Sequence, residues 1–228
     1  GENNPAFTIT YDGFKNNDDV SDITAPSASC SADAFSNVGL YPIELNGGAA
    51  TNYILYLTNG ELEVTQASLI ITAHNKSRVY GSGNPAFTYS ITGFVNNEGP
   101  SSVAVPVLTT TATISSNVGF YPITISIATS LNYSFQLVNG TLEITKATLI
   151  VKADDKVIYR GDPLPTFTAT YNSFLNGDQS TITAGPFFNT NCNINTAGLY
   201  SITPYGLSFT KSGNYNVIYQ SGTLYVNP

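Results

Sequence analysis

Apolar and polar residues alternate along most of this chain. In YPITISI, Tyr121, Ile123, Ile125 and Ile127 share one parity, and in AFTYSI, Phe87, Tyr89 and Ile91 do the same. In LTTTATI the series is Leu108, Thr110, Ala112 and Ile114. A period of two predicts strands with one dry face and one wet face. No stretch shows helical periodicity over ten residues. The polar segments NNDDVSDI, NNEGPSSV and NGDQSTIT hold at most a short helical turn. Asn59-Gly60 and Asn139-Gly140 separate alternating runs, with Ser221-Gly222 in the same role. An Asn-Gly pair in that setting predicts a tight hairpin, because both central residues of a type I′ turn need positive φ.

The pattern also changes parity. In TLEITKATLIVKA the apolar positions are even at Leu142 and Ile144, then odd at Ala147, Leu149, Val151 and Ala153. The same switch follows Val64. A strand that changes face in mid-run is leaving one core and entering another. The crossing contains neither Gly nor Pro, which predicts a stiff junction.

The elements recur at a spacing of about eighty residues. NVGLYPI (37–43) returns as NVGFYPI (117–123) and, with one insertion, as NTAGLYSI (195–202). PAFTITYDGF (5–14) matches PAFTYSITGF (85–94) and PTFTATYNSF (165–174). Pro26, Pro106 and Pro186 follow in step, and Tyr53, Tyr133 and Tyr215 each follow an Asn. Repetition on this scale marks a folding unit written several times. The expected modules are residues 1–66, 67–146 and 147–228. Module one lacks a counterpart of residues 67–80, so its first strand is missing and an unpaired edge is expected. Ten-residue strands give modules roughly 33 Å long, and three in a row a rod of roughly 100 Å.

Composition narrows the function. Eight Lys and Arg face fifteen Asp and Glu, for a formal charge of −7. Nucleic-acid binders and anionic membrane surfaces call for the opposite sign. No apolar run approaches the roughly 18 residues of a membrane span. Met is absent, so the chain reads as a segment of a larger protein with Gly1 as a processed or engineered start. The two cysteines occupy non-equivalent places. Cys30 aligns with Thr110 and Thr190, and Cys192 with Ala32 and Ala112. Two buried free thiols are expected, and the redox compartment is not readable from them.

Candidate chemistry is sparse. His74 is the single histidine, and its counterpart in copy three is Asp154. No nucleophile elbow, zinc pattern or phosphate loop accompanies it. Asp18, Asp19 and Asp22 form an acidic loop with the chemistry of a calcium site. Copies two and three carry Glu98 alone or Asp178 alone there, so the cluster is not part of the repeat, and a solvated loop is the main reading. The aromatics recur in register (Phe7, Phe87 and Phe167; Phe14, Phe94 and Phe174; Tyr41, Tyr121 and Tyr200), which favours packing over a sugar platform. Asn75, Asn132 and Asn139 lie in short glycosylation patterns. No catalytic, cofactor-binding or metal residue is assigned, and no cofactor is expected.

Tyr80-Gly81, Asn84-Pro85, Phe87-Thr88, Gly93-Phe94, Gly119 with Tyr121-Pro122-Ile123, Asn132-Tyr133 and Asn139-Gly140-Thr141-Leu142 occur in that order. Together they resemble the bacterial MBG-type repeat of the YGX variety, over two complete copies and a truncated first one. Copy three departs at Tyr159-Arg160-Gly161 and Asn172-Ser173-Phe174. The resemblance implies β-rich modules of large secreted or surface proteins, often adhesin-like and without catalysis. The expected fold is mainly β: tandem small Ig-like β-sandwich modules arranged as a rod, with β-grasp-like modules as the alternative. The expected function is a non-catalytic stiff spacer at the cell surface or outside the cell, partnered by neighbouring repeats. The alternative is an extracellular module binding a glycan or host protein, with the acidic loop and Tyr219 as places to look.

Overall fold

The computed structural model of the chain describes residues 1–127 and 129–228. Repeat one opens with a 3-10 turn at Val20–Asp22, then β1 (Ser27–Cys30), β2 (Gly39–Asn46) and β3 (Gly60–Val64). Repeat two contributes β4 (Ala67–Ala73), β5 (Lys76–Val79), β6 (Tyr89–Thr92), a turn at Pro100–Ser102, β7 (Val107–Thr109), β8 (Gly119–Ser126), β9 (Tyr133–Val138) and β10 (Gly140–Thr145). Repeat three contributes β11 (Ala147–Ala153), β12 (Lys156–Tyr159), β13 (Ala169–Asn172) and a turn at Asp178–Thr181. It continues with β14 (Ile182–Ala184), β15 (Phe187–Thr190), β16 (Gly198–Tyr205), β17 (Ser208–Phe209), a turn at Ser212–Asn214, β18 (Tyr215–Gln220) and β19 (Gly222–Asn227). The chain is mainly β, as the alternation predicts.

The chain divides into two compact units. The first comprises Gly1–Thr72, Tyr89–Val107 and Ile125–Val138. It holds the antiparallel sheet β1-β2-β3 and the sheet β6-β4-β9, whose central β4 runs parallel to β9. Leu69 and Ile71 of β4 are fully buried. Each such side chain contributes roughly 1.5–3 kcal/mol by leaving water.

The second unit comprises Ala73–Thr88, Leu108–Thr124 and Asn139–Pro228. It holds the sheets β5-β10-β8-β7, β13-β11-β18, β12-β19-β16-β15 and the pair β14-β17. Within repeat three, β11 pairs in parallel with β18, and β12 in parallel with β19. Only Asp154-Asp155 separates β11 from β12, and only Ser221 separates β18 from β19. One parallel ladder therefore passes from the first sheet into the second. Its core gathers Ala153, Ile158, Ile202, Leu224 and Val226. An Ig-like sandwich is built from antiparallel strands, whereas each complete repeat here carries two parallel pairings.

The parity switch has the expected consequence. Leu142 and Ile144 of β10 are buried in one sheet, and Leu149, Val151 and Ala153 of β11 in the next.

The hairpin expectation is corrected. β9 and β10 lie in different sheets, and so do β18 and β19. Gly140 and Gly222 are absent from the positive-φ positions. Each stands where the strand changes sheet beside the backbone of its parallel neighbour. A Cβ on Gly140 would meet the Ala73 carbonyl oxygen at 2.8 Å, and one on Gly222 the Ala153 oxygen at 2.5 Å. Glycine is used here for close approach rather than for a turn. At Gly60 the nearest atom to such a Cβ is Ile43 Cβ at 3.7 Å, because repeat one has no neighbour strand there.

Among the described residues, repeat one has no strand in the place of β4 and β11. Residues 9–12 and 53–58 are the counterparts of β6 and β9 in the sequence repeat, yet neither joins a sheet. Ile43, Leu62 and Val64 are half-buried, whereas their counterparts Ile123, Leu142 and Ile144 are essentially inaccessible.

Candidate functional site

Three recurring side-chain sites organise the repeats. The first lies in the NVGxY motif. Gly39 and Gly119 open β2 and β8, and the tyrosine two residues on reaches back. Tyr41 donates to the Asn37 carbonyl at 2.9 Å, Tyr121 to that of Asn117 at 2.9 Å, and Tyr200 to that of Thr196 at 3.0 Å. The motif is a loop closed by its own tyrosine.

The second site is an asparagine clasp on that loop. Asn132 accepts from the Val38 N–H at 3.1 Å and donates to Asn37 Oδ1 at 2.8 Å. Asn214 accepts from Val118 N–H at 2.9 Å and donates to Asn117 Oδ1 at 3.0 Å. Lys211 adds a donor to Asn117 Oδ1 at 3.1 Å. The Asn-Val of one repeat is thus bound by the asparagine preceding Tyr133 or Tyr215 of the next. Both halves of the clasp were visible in the sequence, in register, but nothing in one dimension joins residues 94 to 97 positions apart.

The third site pairs a tyrosine with a loop acid. Tyr53 donates to Asp18 at 2.6 Å, Tyr133 to Glu98 at 2.9 Å, and Tyr215 to Asp178 at 2.8 Å. Each hydroxyl also accepts a backbone N–H, from Lys15, Val95 and Leu175 respectively. Asp178 takes a second hydroxyl from buried Tyr80, at 2.9 Å. Burial first, then the neighbouring Asp178 carboxylate, pushes the Tyr215 and Tyr80 hydroxyls up from the ordinary value of 10.0. Tyr133 moves the same way, chiefly through burial. The single acid at positions 18, 98 and 178 is therefore a property of the repeat. Sequence reading missed it because the loops differ around it; the offset of eighty was the signal.

The acidic cluster divides into separate roles. Asp18 serves Tyr53. Asp19 caps the 3-10 turn, accepting from Ser21 N–H at 2.7 Å and Ser21 Oγ at 2.6 Å, which lowers its pKa. Asp22 accepts from Asp19 N–H at 2.9 Å. Among the described residues, no three His, Cys, Asp or Glu side chains group as a metal site.

The remaining candidates are spent on loop geometry. His74 Nδ1 meets Thr88 Oγ1 at 3.0 Å, and its counterpart Asp154 accepts from Thr168 at 2.6 Å. Asn75 Oδ1 accepts from Thr141 N–H at 2.8 Å, as Asp155 does from Thr223 at 2.7 Å. Asn4 and Asn84 donate to the Ala32 and Ala112 carbonyls at 2.6 and 2.7 Å. Buried Arg78 donates to Asn84 Oδ1 at 2.7 Å and to the Thr113 carbonyl. Cys30 and Cys192 are free, as expected, but half-buried rather than buried; burial raises the Cys192 thiol pKa. Tyr219 accepts from Leu207 N–H at 2.8 Å.

Comparison with known families agrees with this internal order. The MBG domain (YGX type) profile matches three times, at residues 1–63, 69–143 and 149–225. The chain belongs to that family. No curated protein matches it at a significant level. In the MBG frame, the tyrosine of YGX is Tyr80, the second hydroxyl on Asp178. MBG repeat three carries Arg160 in its place. No helix among the described residues is long and apolar enough to cross a membrane.

Proposed function

We propose that this chain is a non-catalytic spacer segment of a larger extracellular or cell-surface protein. The observation that carries it is the asparagine clasp, in which a side chain of one MBG repeat hydrogen-bonds the loop of the repeat before it. Such a contact, beside a junction without Gly or Pro, restrains the angle between neighbours. Supporting the non-catalytic part, the acids, histidine and asparagines singled out above are engaged in loop closure and capping. In fold terms the parallel pairing of the first two strands of a repeat with its last two favours the β-grasp-like alternative. Adhesion belongs to the same proposal, as the role of whatever the spacer presents. Small-angle X-ray scattering tests it. A single globule of this length has a radius of gyration near ~17 Å, and a stiff row of three modules about 30 Å from the strand rise. The larger value is expected, and a value near the smaller one rejects the spacer reading.

One observation favours a second reading, a glycan- or protein-binding module. The outer face of β12-β19-β16-β15 exposes Tyr159, Tyr225, Leu199, Phe187 and Tyr205. Tyr225 stands where the other repeats have Glu63 and Glu143. Phe187 and Tyr205 pack with ring centroids 5.8 Å apart. Stacking faces of this kind suit sugars or apolar protein surfaces. Saturable binding on a glycan array, lost in Tyr225→Glu, would support it.

A further inference from the structure

The outer face of β12-β19-β16-β15 carries an order that folding does not require. Val157, Tyr225 and Leu199 form one row across β12, β19 and β16, with Tyr159 two residues further along β12. Phe187 and Tyr205 form a second row across β15 and β16. The side chains of both rows are exposed. Six positions of β16 separate Leu199 from Tyr205, which puts the rows roughly 20 Å apart at the usual strand rise. Between them the outward residues are Thr223 opposite Ser201, and Asn189 opposite Thr203. Ser201 Oγ meets Thr203 Oγ1 at 3.3 Å, and Thr203 Oγ1 meets Ser221 Oγ at 3.2 Å. The outward positions of the four strands are apolar, aromatic, hydroxyl or amide throughout.

Repeat two has the same strand order in β5-β10-β8-β7. It sets Val79, Glu143, Val107 and Ser126 where repeat three has Tyr159, Tyr225, Phe187 and Tyr205. Glu143 stands opposite Phe120 as Tyr225 stands opposite Leu199. The sheet therefore forms without these aromatics, and packing does not account for them.

We infer that this face binds a neutral, extended glycan: a β-linked hexopyranose ribbon lying along β16, with a sugar ring stacked on each aromatic row and its hydroxyls over the Ser-Thr-Asn strip. The inference rests on the binding-module reading above and narrows its ligand. A protein interface puts its apolar anchors at the centre and its polar residues at the rim. Here the order is inverted, with the apolar rows at the two ends and hydroxyls at the centre. A pyranose chain matches that order. Its C–H faces stack on aromatic rings, and the hydroxyls along its edges exchange hydrogen bonds with Ser, Thr and Asn. Charge selects the neutral class. The outward positions carry no ionised side chain, and the chain's formal charge of −7 repels a polyanion. An open sheet face without walls suits an extended ribbon, which presents broad ring faces, rather than a coiled glycan.

Isothermal titration calorimetry on the whole chain tests this, with cellohexaose, chitohexaose and β-mannohexaose as probes. Maltohexaose serves as the coiled neutral control and chondroitin sulfate as the acidic one. Saturable binding of at least one β-linked probe is expected, tighter than that of either control. Tyr225→Glu and Tyr205→Ser install the residues that repeat two carries at these positions, so the fold should survive them, and an unchanged urea midpoint checks that. Each variant should weaken binding by about tenfold or more. Silence with all three β-linked probes, or binding that both variants leave unchanged, overturns the inference. Binding of chondroitin sulfate or of a protein alone, lost in Tyr225→Glu, overturns it too but keeps the broader binding-module reading. A concentration-dependent dimer lost in the same variant assigns the face to a second copy and likewise overturns it.

Discussion

Tyr215 shows what a single side chain does in this architecture. Its ring packs edge-on against Tyr80, Phe174 and Phe209, and its hydroxyl bridges Asp178 and the Leu175 N–H. Tyr215→Phe keeps the ring and strands the partners, so the expected cost is about 1–3 kcal/mol. Urea unfolding should show that loss, and a smaller one for Tyr53→Phe, whose surroundings are half open. The raised tyrosine pKa values fix a pH dependence. The folded chain holds these protons more tightly than the unfolded chain, so above pH 10 the unfolded state binds fewer protons and stability falls. The stabilising term is complete below pH 10 and is lost as pH rises through the folded-state values. Melting temperatures should be level from pH 8 to about 9.5 and fall steeply above it. A level profile to pH 11 would contradict the buried pairing. At this scale the sequence exposed the registered tyrosines but not their acceptors, because an Asp in one loop and a Glu in another look unrelated until the hydroxyl joins them.

Elements were legible where the signal was periodic. Alternation located strands such as β8 and β11, and the parity switch located the passage between cores at Lys146. Asn139-Gly140 misled because the hairpin rule is local, whereas Gly140 answers to the Ala73 backbone, 67 positions earlier in the chain. The same residue type at three equivalent positions offers a direct check. Gly140→Ala and Gly222→Ala force a Cβ against a neighbouring carbonyl and should each cost about 1–3 kcal/mol. Gly60→Ala meets nothing closer than 3.7 Å and should be neutral or slightly stabilising, since it restricts the unfolded chain. Equal penalties at all three sites would mean that Gly60 meets a neighbouring backbone as Gly140 and Gly222 do.

At the scale of the whole molecule, the chain consists of copies of one frame, and the described residues of the first include no strand in the place of β4 and β11. The sequence showed this as the lack of a counterpart to residues 67–80. It could not show that the flanks would stay apart and lose their own strand pairing, because that outcome depends on β4 and β11 being central rather than peripheral in their sheets. The half-burial of Ile43, Leu62 and Val64 follows from the same gap, since Ala153 and Ile158, which complete the core of repeat three, have no counterpart there.

Hydrogen exchange read by mass spectrometry tests this account most directly. Amides of residues 133–138 and 215–220 should be protected by their parallel ladders, while those of 53–58 exchange as fast as open loop. Residues 9–12 should likewise exchange faster than 89–92 and 169–172. Equal protection across the three repeats would contradict the account, because it would mean that residues 9–12 and 53–58 are paired as β6 and β9 are.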